Sequence, residues 1–233
     1  MPIRRLDPLL VDRIAAGEVI ERPAAAVKEL VENALDAGAK GIEVAIEAGG
    51  RRLIRVADDG RGMDEADLAL SIERHATSKI PDGDLMAIAT FGFRGEALPS
   101  IASVSRLEIR TRVGGAPNGL KIVVEDGIKS AIEPCAAPLG TRVEARDLFA
   151  ATPARLKFLK SDRAEAIAIS DIVKRLAMAA PEARFSFASD IGSGFDWPAC
   201  GPLRRACKPA SRSPSRCRSR TKSAPRARPS PAA

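Results

Sequence analysis

Aromatic residues are scarce in this 233-residue chain, which has seven Phe, one Trp and no Tyr. Its core must therefore be built from Val, Ile, Leu and Ala, and a chain of this length buries enough surface to fold without disulfides or a structural metal. The four cysteines form no CxxC pair, which argues against a zinc site. There is no run of 18 apolar residues and no signal-like N-terminus, so we expect a soluble, cytoplasmic protein without a membrane span.

Acidic residues are absent from 201–233, although this segment holds ten of the 37 Lys and Arg residues. Removing those ten leaves 27 basic against 30 acidic residues in 1–200, so the net charge of +7 belongs to the tail. The tail also has six Pro, six Ser and one large aliphatic residue, a composition typical of disorder. We therefore expect a folded domain over 1–190 and a disordered basic tail over 191–233.

The basic tail has two interpretations. It is either an arm that binds the phosphate backbone of DNA, or the product of a frameshift in GC-rich coding DNA. The second interpretation predicts a recognisable continuation in another reading frame.

The hydrophobic periodicity predicts alternating groups of helices and strands. Apolar residues at positions 27, 30, 31, 34 and 35 form the stripe of an amphipathic helix over 24–36, with Gly38 at its C-terminal end. The other predicted elements are helices over 11–22, 64–74, from 96, from 152 and over 163–179, and strands over 42–46, 53–56, 105–113, 119–125, 128–134, 140–147 and 184–189. This order predicts an α+β fold with helices layered on a largely antiparallel sheet. The long polar connection over 75–95 is typical of a lid or binding loop.

Three short polar motifs lie between residues 29 and 98. In the first, Glu29 and Asn33 are four residues apart on one helix face. A carboxylate can orient and deprotonate a water molecule, and an amide oxygen is a ligand suited to Mg²⁺. A solvated helix face is the alternative, since Glu32 and Asp36 have the same spacing.

The second motif, 58–62, begins with Asp58 and contains two glycines. Its carboxylate could accept a hydrogen bond from an exocyclic amine while the glycines admit a flat base, although an ordinary Asp-Gly turn is the alternative. The third motif, 92–98, lacks the ending of a Walker A loop. Its glycines and the helix that follows could bind an anion, and a purely structural glycine loop is the alternative. Thr77, Ser78 and Lys79 are further donors, whereas the single histidine, His75, is expected to be structural.

The segments IAAGEVIERPAAAVKELVENALDAGA, DDGRGM, RHATSK, GFRGEAL and TPARLKFL resemble the N-terminal ATPase region of the MutL family of DNA mismatch repair proteins. The resemblance covers about residues 1–190. RHATSK and GFRGEAL are specific to this family. Gyrase-type topoisomerases, histidine kinases and heat-shock chaperones share only the generic elements, which argues against a chaperone or topoisomerase relative.

The resemblance implies a GHKL-type ATPase fold, in which helices cover one face of a mixed, mostly antiparallel sheet. It implies that Glu29 is the general base, that Asn33 holds Mg²⁺, and that Asp58 receives the amino group of adenine. Gly60, Gly62 and Met63 would line the base pocket, and Thr141 would reach toward the adenine. The lid and phosphate cradle would comprise Thr77, Ser78, Lys79, Gly92, Phe93, Arg94, Gly95, Glu96, Ala97 and Leu98.

The implied function is Mg²⁺-dependent ATP hydrolysis by a matchmaker, with a MutS-like mismatch-recognition protein, a downstream nuclease or helicase, and DNA as partners. ATP-dependent dimerisation of N-terminal domains is also implied. The family's second domain, which supplies a lysine to the γ-phosphate, and its C-terminal dimerisation domain have no counterpart in the resemblance. We therefore expect a truncated product with weak hydrolysis and no constitutive dimer. The alternative is an ATP- or DNA-binding module without turnover.

Overall fold

The computed structural model of the protein describes residues 6–77 and 95–200. The predictions for the tail over 201–233 lie outside these ranges. The helices within them are α1 (Pro8–Val19), α2 (Pro23–Asp36), α3 (Glu65–Ser71), α4 (Ala97–Val104), α5 (Pro153–Leu156) and α6 (Asp162–Ala179). The strands are β1 (Gly41–Glu47), β2 (Leu53–Asp58), β3 (Arg106–Arg112), β4 (Gly119–Glu125), β5 (Ile128–Lys129), β6 (Glu133–Cys135), β7 (Gly140–Arg146), β8 (Arg184–Ser189) and β9 (Phe195–Trp197). Within the described ranges, no helix has the length and apolar character needed to cross a membrane.

The strands form one sheet in the order β5-β4-β3-β7-β2-β1-β8-β9, with β6 also paired to β4. All of these pairs are antiparallel except β1–β8, which is parallel. The parallel pair arises because α6 packs against α2 and returns the chain beside β1. The mixed, mostly antiparallel sheet with helices on it confirms the predicted fold class.

Helix α2 is held on the sheet by the predicted apolar stripe. Val27, Leu30, Val31 and Ala34 are buried, and Leu35 is partly buried against the same core. Each of the larger side chains contributes about 1.5–3 kcal/mol when it leaves water. Packing on the inner face of β1 and β2 therefore fixes which side of α2 faces away from the core.

The ends of several elements are set by local hydrogen bonds and backbone conformations, some as the sequence predicts and some not. Asp64 caps α3 as predicted, accepting a hydrogen bond from Asp67 N at 2.8 Å, but the helix ends at Ser71. Gly38 has φ +76° just after α2, as expected of a C-terminal glycine. The strand predicted over 128–134 is divided into β5 and β6, because the Ser130 hydroxyl takes the hydrogen bond from Val123 N at 3.0 Å.

Strand β9 lies beyond the domain boundary that the sequence pattern places at residue 190. It pairs with β8, and Phe195 stacks between Phe187 and Trp197 at centroid distances of 5.5 and 4.6 Å. Arg184 and Asp196 add a two-pronged ion pair across the two strands. Three residues are too few to show a period-two pattern, which is why the sequence did not reveal this strand.

Candidate functional site

A cleft of about 540 Å³ lies between α2, the end of β2, the start of β7 and the start of α4. Its volume is within the usual range for a bound cofactor. The predicted site residues that line it are Glu29, Asn33, Asp58, Gly62, Met63, Thr77, Gly95, Glu96, Ala97, Leu98 and Thr141. The structure thus brings the described parts of all three motifs together. The predictions for Ser78, Lys79, Gly92, Phe93 and Arg94 lie outside the described residues.

Asp58 stands at the end of β2, and its carboxylate is fixed by the backbone. Oδ1 accepts hydrogen bonds from Gly60 N at 2.9 Å and Thr141 N at 3.3 Å. Gly60 therefore supports the site rather than lining it. Burial raises the pKa of Asp58 to about 6, although these two N–H groups act in the opposite direction. None of the hydrogen bonds within the described ranges involves Oδ2, so Asp58 keeps an acceptor for a ligand.

The neighbouring carboxylate, Asp59, has a different role. Its Oδ1 accepts hydrogen bonds from Lys40 N at 2.7 Å and Gly41 N at 2.8 Å, at the start of β1. These bonds close the turn between α2 and β1 onto the end of β2. Of the two consecutive aspartates, only Asp58 lines the cleft.

Two glycines allow the backbone segments around Asp58 to approach each other. Gly62 has φ +72°, and a Cβ there would lie 2.3 Å from the carbonyl oxygen of Arg112. Gly140 has φ +99°, and a Cβ there would lie 2.0 Å from the carbonyl oxygen of Asp58. Both positions require glycine, because the positive φ is unfavourable for other residues and a Cβ atom would clash with the neighbouring carbonyl oxygen.

Thr111 on β3 is a residue that the sequence analysis missed. It is fully buried, and its hydroxyl accepts a hydrogen bond from Met63 N at 2.8 Å. The same oxygen lies 3.1 Å from Gly140 O and 3.1 Å from Thr141 Oγ1. A polar residue in register with the inward-facing Leu107 and Ile109 was the signal that could have identified it.

Helix α2 contributes charged and amide side chains to the lining of the cleft. Lys28 Nζ lies 2.7 Å from Glu32 Oε2 and 3.3 Å from Glu29 Oε1. Burial lowers the pKa of Lys28, but the hydrogen bond to Glu32 and the two negative charges outweigh it and leave the pKa raised. Glu32 is buried, whereas the Glu29 side chain is 31% exposed and one turn before Asn33. Of these two glutamates, Glu29 is therefore the more accessible to water.

The start of α4 also lines the cleft. Glu96 makes no side-chain capping hydrogen bond to the first turn of α4, where Ala97 and Leu98 carry N–H groups that can bind an anion and Pro99 has none. Glu96, just before the helix, forms an ion pair with Arg74 at 3.2 Å, and His75 Nδ1 lies 2.7 Å from its other carboxylate oxygen. Arg74 also contacts Asp12 of α1 at 3.1 Å, so these ion pairs position the helix start.

This set of groups fits a magnesium nucleotide. Across 6–77 and 95–200, no cluster of three or more His, Cys, Asp or Glu residues could hold a metal by protein ligands alone. Mg²⁺ typically keeps several waters and binds through few protein oxygens plus phosphate oxygens, so a single amide such as Asn33 is a suitable contribution. Asp58 offers an acceptor to a base, and the start of α4 offers donors to phosphates.

The fold and the cleft define a class of nucleotide-binding proteins. Residues 20–134 match the family described as "Histidine kinase-, DNA gyrase B-, and HSP90-like ATPase". The chain is 65% identical over 200 residues to the DNA mismatch repair protein MutL of Beijerinckia indica, covering 86% of this chain and 31% of the relative. It is 59% identical over 202 residues to MutL of Rhodopseudomonas palustris strain HaA2, covering 87% of this chain and 34% of the relative.

Solved structures agree with these sequence relatives. The Aquifex aeolicus MutL ATPase domain complexed with ADP has 36% identity and a TM-score of 0.65, covering 78% of this chain and 65% of that one. The chain belongs to the MutL family and carries its N-terminal ATPase region, which confirms the resemblance. It spans about a third of the length of the curated relatives it matches. An aligned stretch of 202 residues reaches at least residue 202, so the similarity continues past residue 190, where the sequence analysis placed its end.

Proposed function

We propose that this chain binds Mg²⁺·ATP in the cleft and hydrolyses it to ADP and phosphate as part of DNA mismatch repair. The observation that supports this best is the convergence of Asp58, Thr141, Glu29, Asn33 and the uncapped start of α4 on one cleft. These groups come from strands and helices that are distant in sequence. An Asp-Gly turn or a solvated helix face would not require such convergence.

In this proposal the adenine occupies the end of the cleft near β2 and β7. Asp58 accepts a hydrogen bond from the exocyclic amino group, because its carboxylate is already oriented by Gly60 N and Thr141 N. Met63 and Gly62 line the pocket beside the base. The raised pKa of about 6 leaves Asp58 ionised at neutral pH, where it is the stronger acceptor.

The triphosphate extends toward α2 and α4. The N–H groups in the first turn of α4 bind phosphate oxygens, and Asn33 contributes a ligand to Mg²⁺, which supplies neutralising charge when bound. Glu29 orients the attacking water and accepts its proton. Thr77, with Ser78, Lys79 and the 92–95 segment, completes the phosphate cradle.

The role of the ATPase follows from the family. We propose that nucleotide turnover couples recognition of a mismatch to strand processing, with a mismatch-recognition protein, a downstream nuclease or helicase, and DNA as partners. ATP-dependent pairing of two such domains is part of this proposal. The similar proteins are DNA mismatch repair proteins, which supports a role in that process.

Replacing Glu29 with alanine tests the enzymatic part of the proposal. We expect the rate of ATP hydrolysis to fall by about 10²–10⁴-fold, the usual contribution of a general base. The Kd for ATP should change only a few-fold, since Glu29 acts on the water. Glu43→Ala is the matched control, because Glu43 is an exposed glutamate on β1 outside the cleft. A binding module without turnover would release phosphate no faster than buffer, and neither substitution would alter that.

A further inference from the structure

Two threonine hydroxyls lie side by side at the base end of the cleft. Asp58, Thr141 and Thr111 are neighbours across β2, β7 and β3, with Thr141 in register with both of the others. Thr141 lines the cleft, whereas Thr111 is fully buried behind it. Their hydroxyl oxygens are 3.1 Å apart, so the buried hydroxyl can control the one that meets a ligand.

The direction of the hydrogen bonds in this pair follows from a count of protons. Thr111 Oγ1 accepts from Met63 N at 2.8 Å and carries a single hydrogen of its own. Gly140 O, 3.1 Å away, is an acceptor only, so this contact is a hydrogen bond only if Thr111 donates to it. The contact between the two hydroxyls then requires the hydrogen of Thr141. Thr141 therefore presents lone pairs, and no proton, to the cleft.

Asp58 and Thr141 then both act as acceptors toward the cleft. Asp58 Oδ2 and Thr141 Oγ1 suit a base that carries an exocyclic amino group and repel one that carries a keto oxygen at the same position. We propose that Thr111 is a specificity-determining positioning residue: by fixing the direction of the Thr141 O–H bond, it makes the site select a 6-aminopurine over a 6-oxopurine. This inference rests on the proposed function and names the substrate preference of the same site.

The expected effect of a Thr111 substitution is limited, because Thr111 orients only one of the two acceptors, Thr141. Sites built to hydrogen-bond a particular substrate group discriminate strongly against analogues that leave buried polar groups unpaired. Asp58 remains an acceptor when Thr111 is changed. We therefore expect Thr111 to account for about a tenfold part of the preference, and not for all of it.

The test measures Kd for ATP and for inosine triphosphate, which replaces the 6-amino group by a 6-oxo group. Thr111→Val keeps the shape but removes the hydroxyl, so the hydrogen of Thr141 is free to point into the cleft and donate to the 6-oxo group. The Kd for inosine triphosphate divided by the Kd for ATP should fall about tenfold in Thr111→Val and stay at the wild-type value in Thr111→Ser. Thr111→Val also leaves Met63 N unpaired, but the resulting loss of stability affects both nucleotides alike and cancels in the ratio.

A double-substitution cycle separates this role from a general structural one. If Thr111 acts through Thr141, Thr111→Val should leave the ratio unchanged when it is made in a Thr141→Val protein. An unchanged ratio in the single Thr111→Val variant would overturn the inference, as would an equal change in both backgrounds. If the wild-type protein binds neither nucleotide, the proposed function itself fails. If the wild-type protein binds ATP and the ratio of the two Kd values is the same with and without the Thr111 substitution, only this inference fails.

Discussion

The two ends of the cleft are built in different ways. At the base end, Asp58 and Thr141 stand on adjacent strands and are held by backbone hydrogen bonds within the sheet. At the phosphate end, Glu29 and Asn33 lie on a helix face, and Glu29 is held by a partly exposed ion pair with Lys28. The base end is therefore preorganised by the sheet, whereas the phosphate end depends on how α2 is anchored. Substitutions at the two ends should consequently fail in different ways.

The largest effect is expected where the backbone itself forms the base end. Gly140→Ala should lower the free energy of unfolding by about 3 kcal/mol or more and abolish ATP binding, because its Cβ would collide with the Asp58 carbonyl at φ +99°. Gly115→Ala is the matched control, since Gly115 also has a positive φ, +84°, but has nothing within 4 Å. It should cost only about 1–2 kcal/mol and retain ATP binding. Urea denaturation measures the free energy of unfolding of both variants. Equal losses would show that the close contact between residue 140 and the Asp58 carbonyl has no special role.

At the phosphate end, the position of α2 depends on a contact between its N-terminal end and α6. Glu165 of α6 is 1% exposed and accepts hydrogen bonds from Arg22 at 2.9 and 3.2 Å, just before α2 begins. Glu165→Ala should lower the free energy of unfolding by about 1–3 kcal/mol, since it removes the buried acceptor of Arg22 and of Lys160 N, whereas the Arg22 side chain is 37% exposed and stays partly solvated. Glu182→Ala, at an exposed glutamate, should change it by less than about 0.5 kcal/mol. A thermal melt showing similar stability for both variants would contradict this anchor.

Asp58→Asn should separate stability from function at the base end. A carboxyl group whose pKa is raised from 3.8 to about 6 favours its protonated form in the folded state, so stability falls as pH rises through about 6. At pH 7.5 the neutral amide should therefore raise the free energy of unfolding by about 2 kcal/mol, while ATP binding is lost. The gain should shrink between pH 6 and 4, where Asp58 itself becomes protonated. Denaturation curves of both proteins across this pH range measure the difference in free energy of unfolding. A difference that does not depend on pH would be inconsistent with burial of the Asp58 charge.

The smallest effect is expected for the ion pair beside Glu29. Lys28 is 45% exposed, and Lys28→Gln should change the free energy of unfolding by less than about 1 kcal/mol, as is usual for pairs open to solvent. ATP affinity should change little, because Lys28 contacts the carboxylates of its own helix. Isothermal titration and urea denaturation test this together. A loss as large as that of Glu165→Ala would place the anchor of the phosphate end at Lys28 instead.

Much of the fold was predictable because its patterns are long and local. The stripe of α2 and the alternation in β1, β4 and β8 each specify one buried face, and the observed elements follow them. Strand pairings between segments that are distant in the sequence could not be predicted from it. The parallel contact of β1 with β8 and the short strand β9 result from packing against α6 and from three aromatic residues.

The candidate site divides in the same way. Glu29, Asn33 and Asp58 lie in motifs whose chemistry is visible in the sequence, and the structure brings them to one cleft. Thr111 was missed because its hydroxyl acts through partners on three other segments, at Met63, Gly140 and Thr141. Such partners are defined by sheet register and not by sequence spacing.

The most direct measurement is the melting temperature of the wild-type protein with ATP, in the presence and absence of Mg²⁺, beside that of Asp58→Ala. Saturation at about 100 times Kd adds about 2.7 kcal/mol, which should raise the wild-type melting temperature by about 5 °C or more. Chelating Mg²⁺ should reduce that rise, and Asp58→Ala should remove it. A wild-type protein that melts at the same temperature with and without Mg²⁺·ATP, or an Asp58→Ala protein that shows the full rise, would contradict the assignment of this cleft.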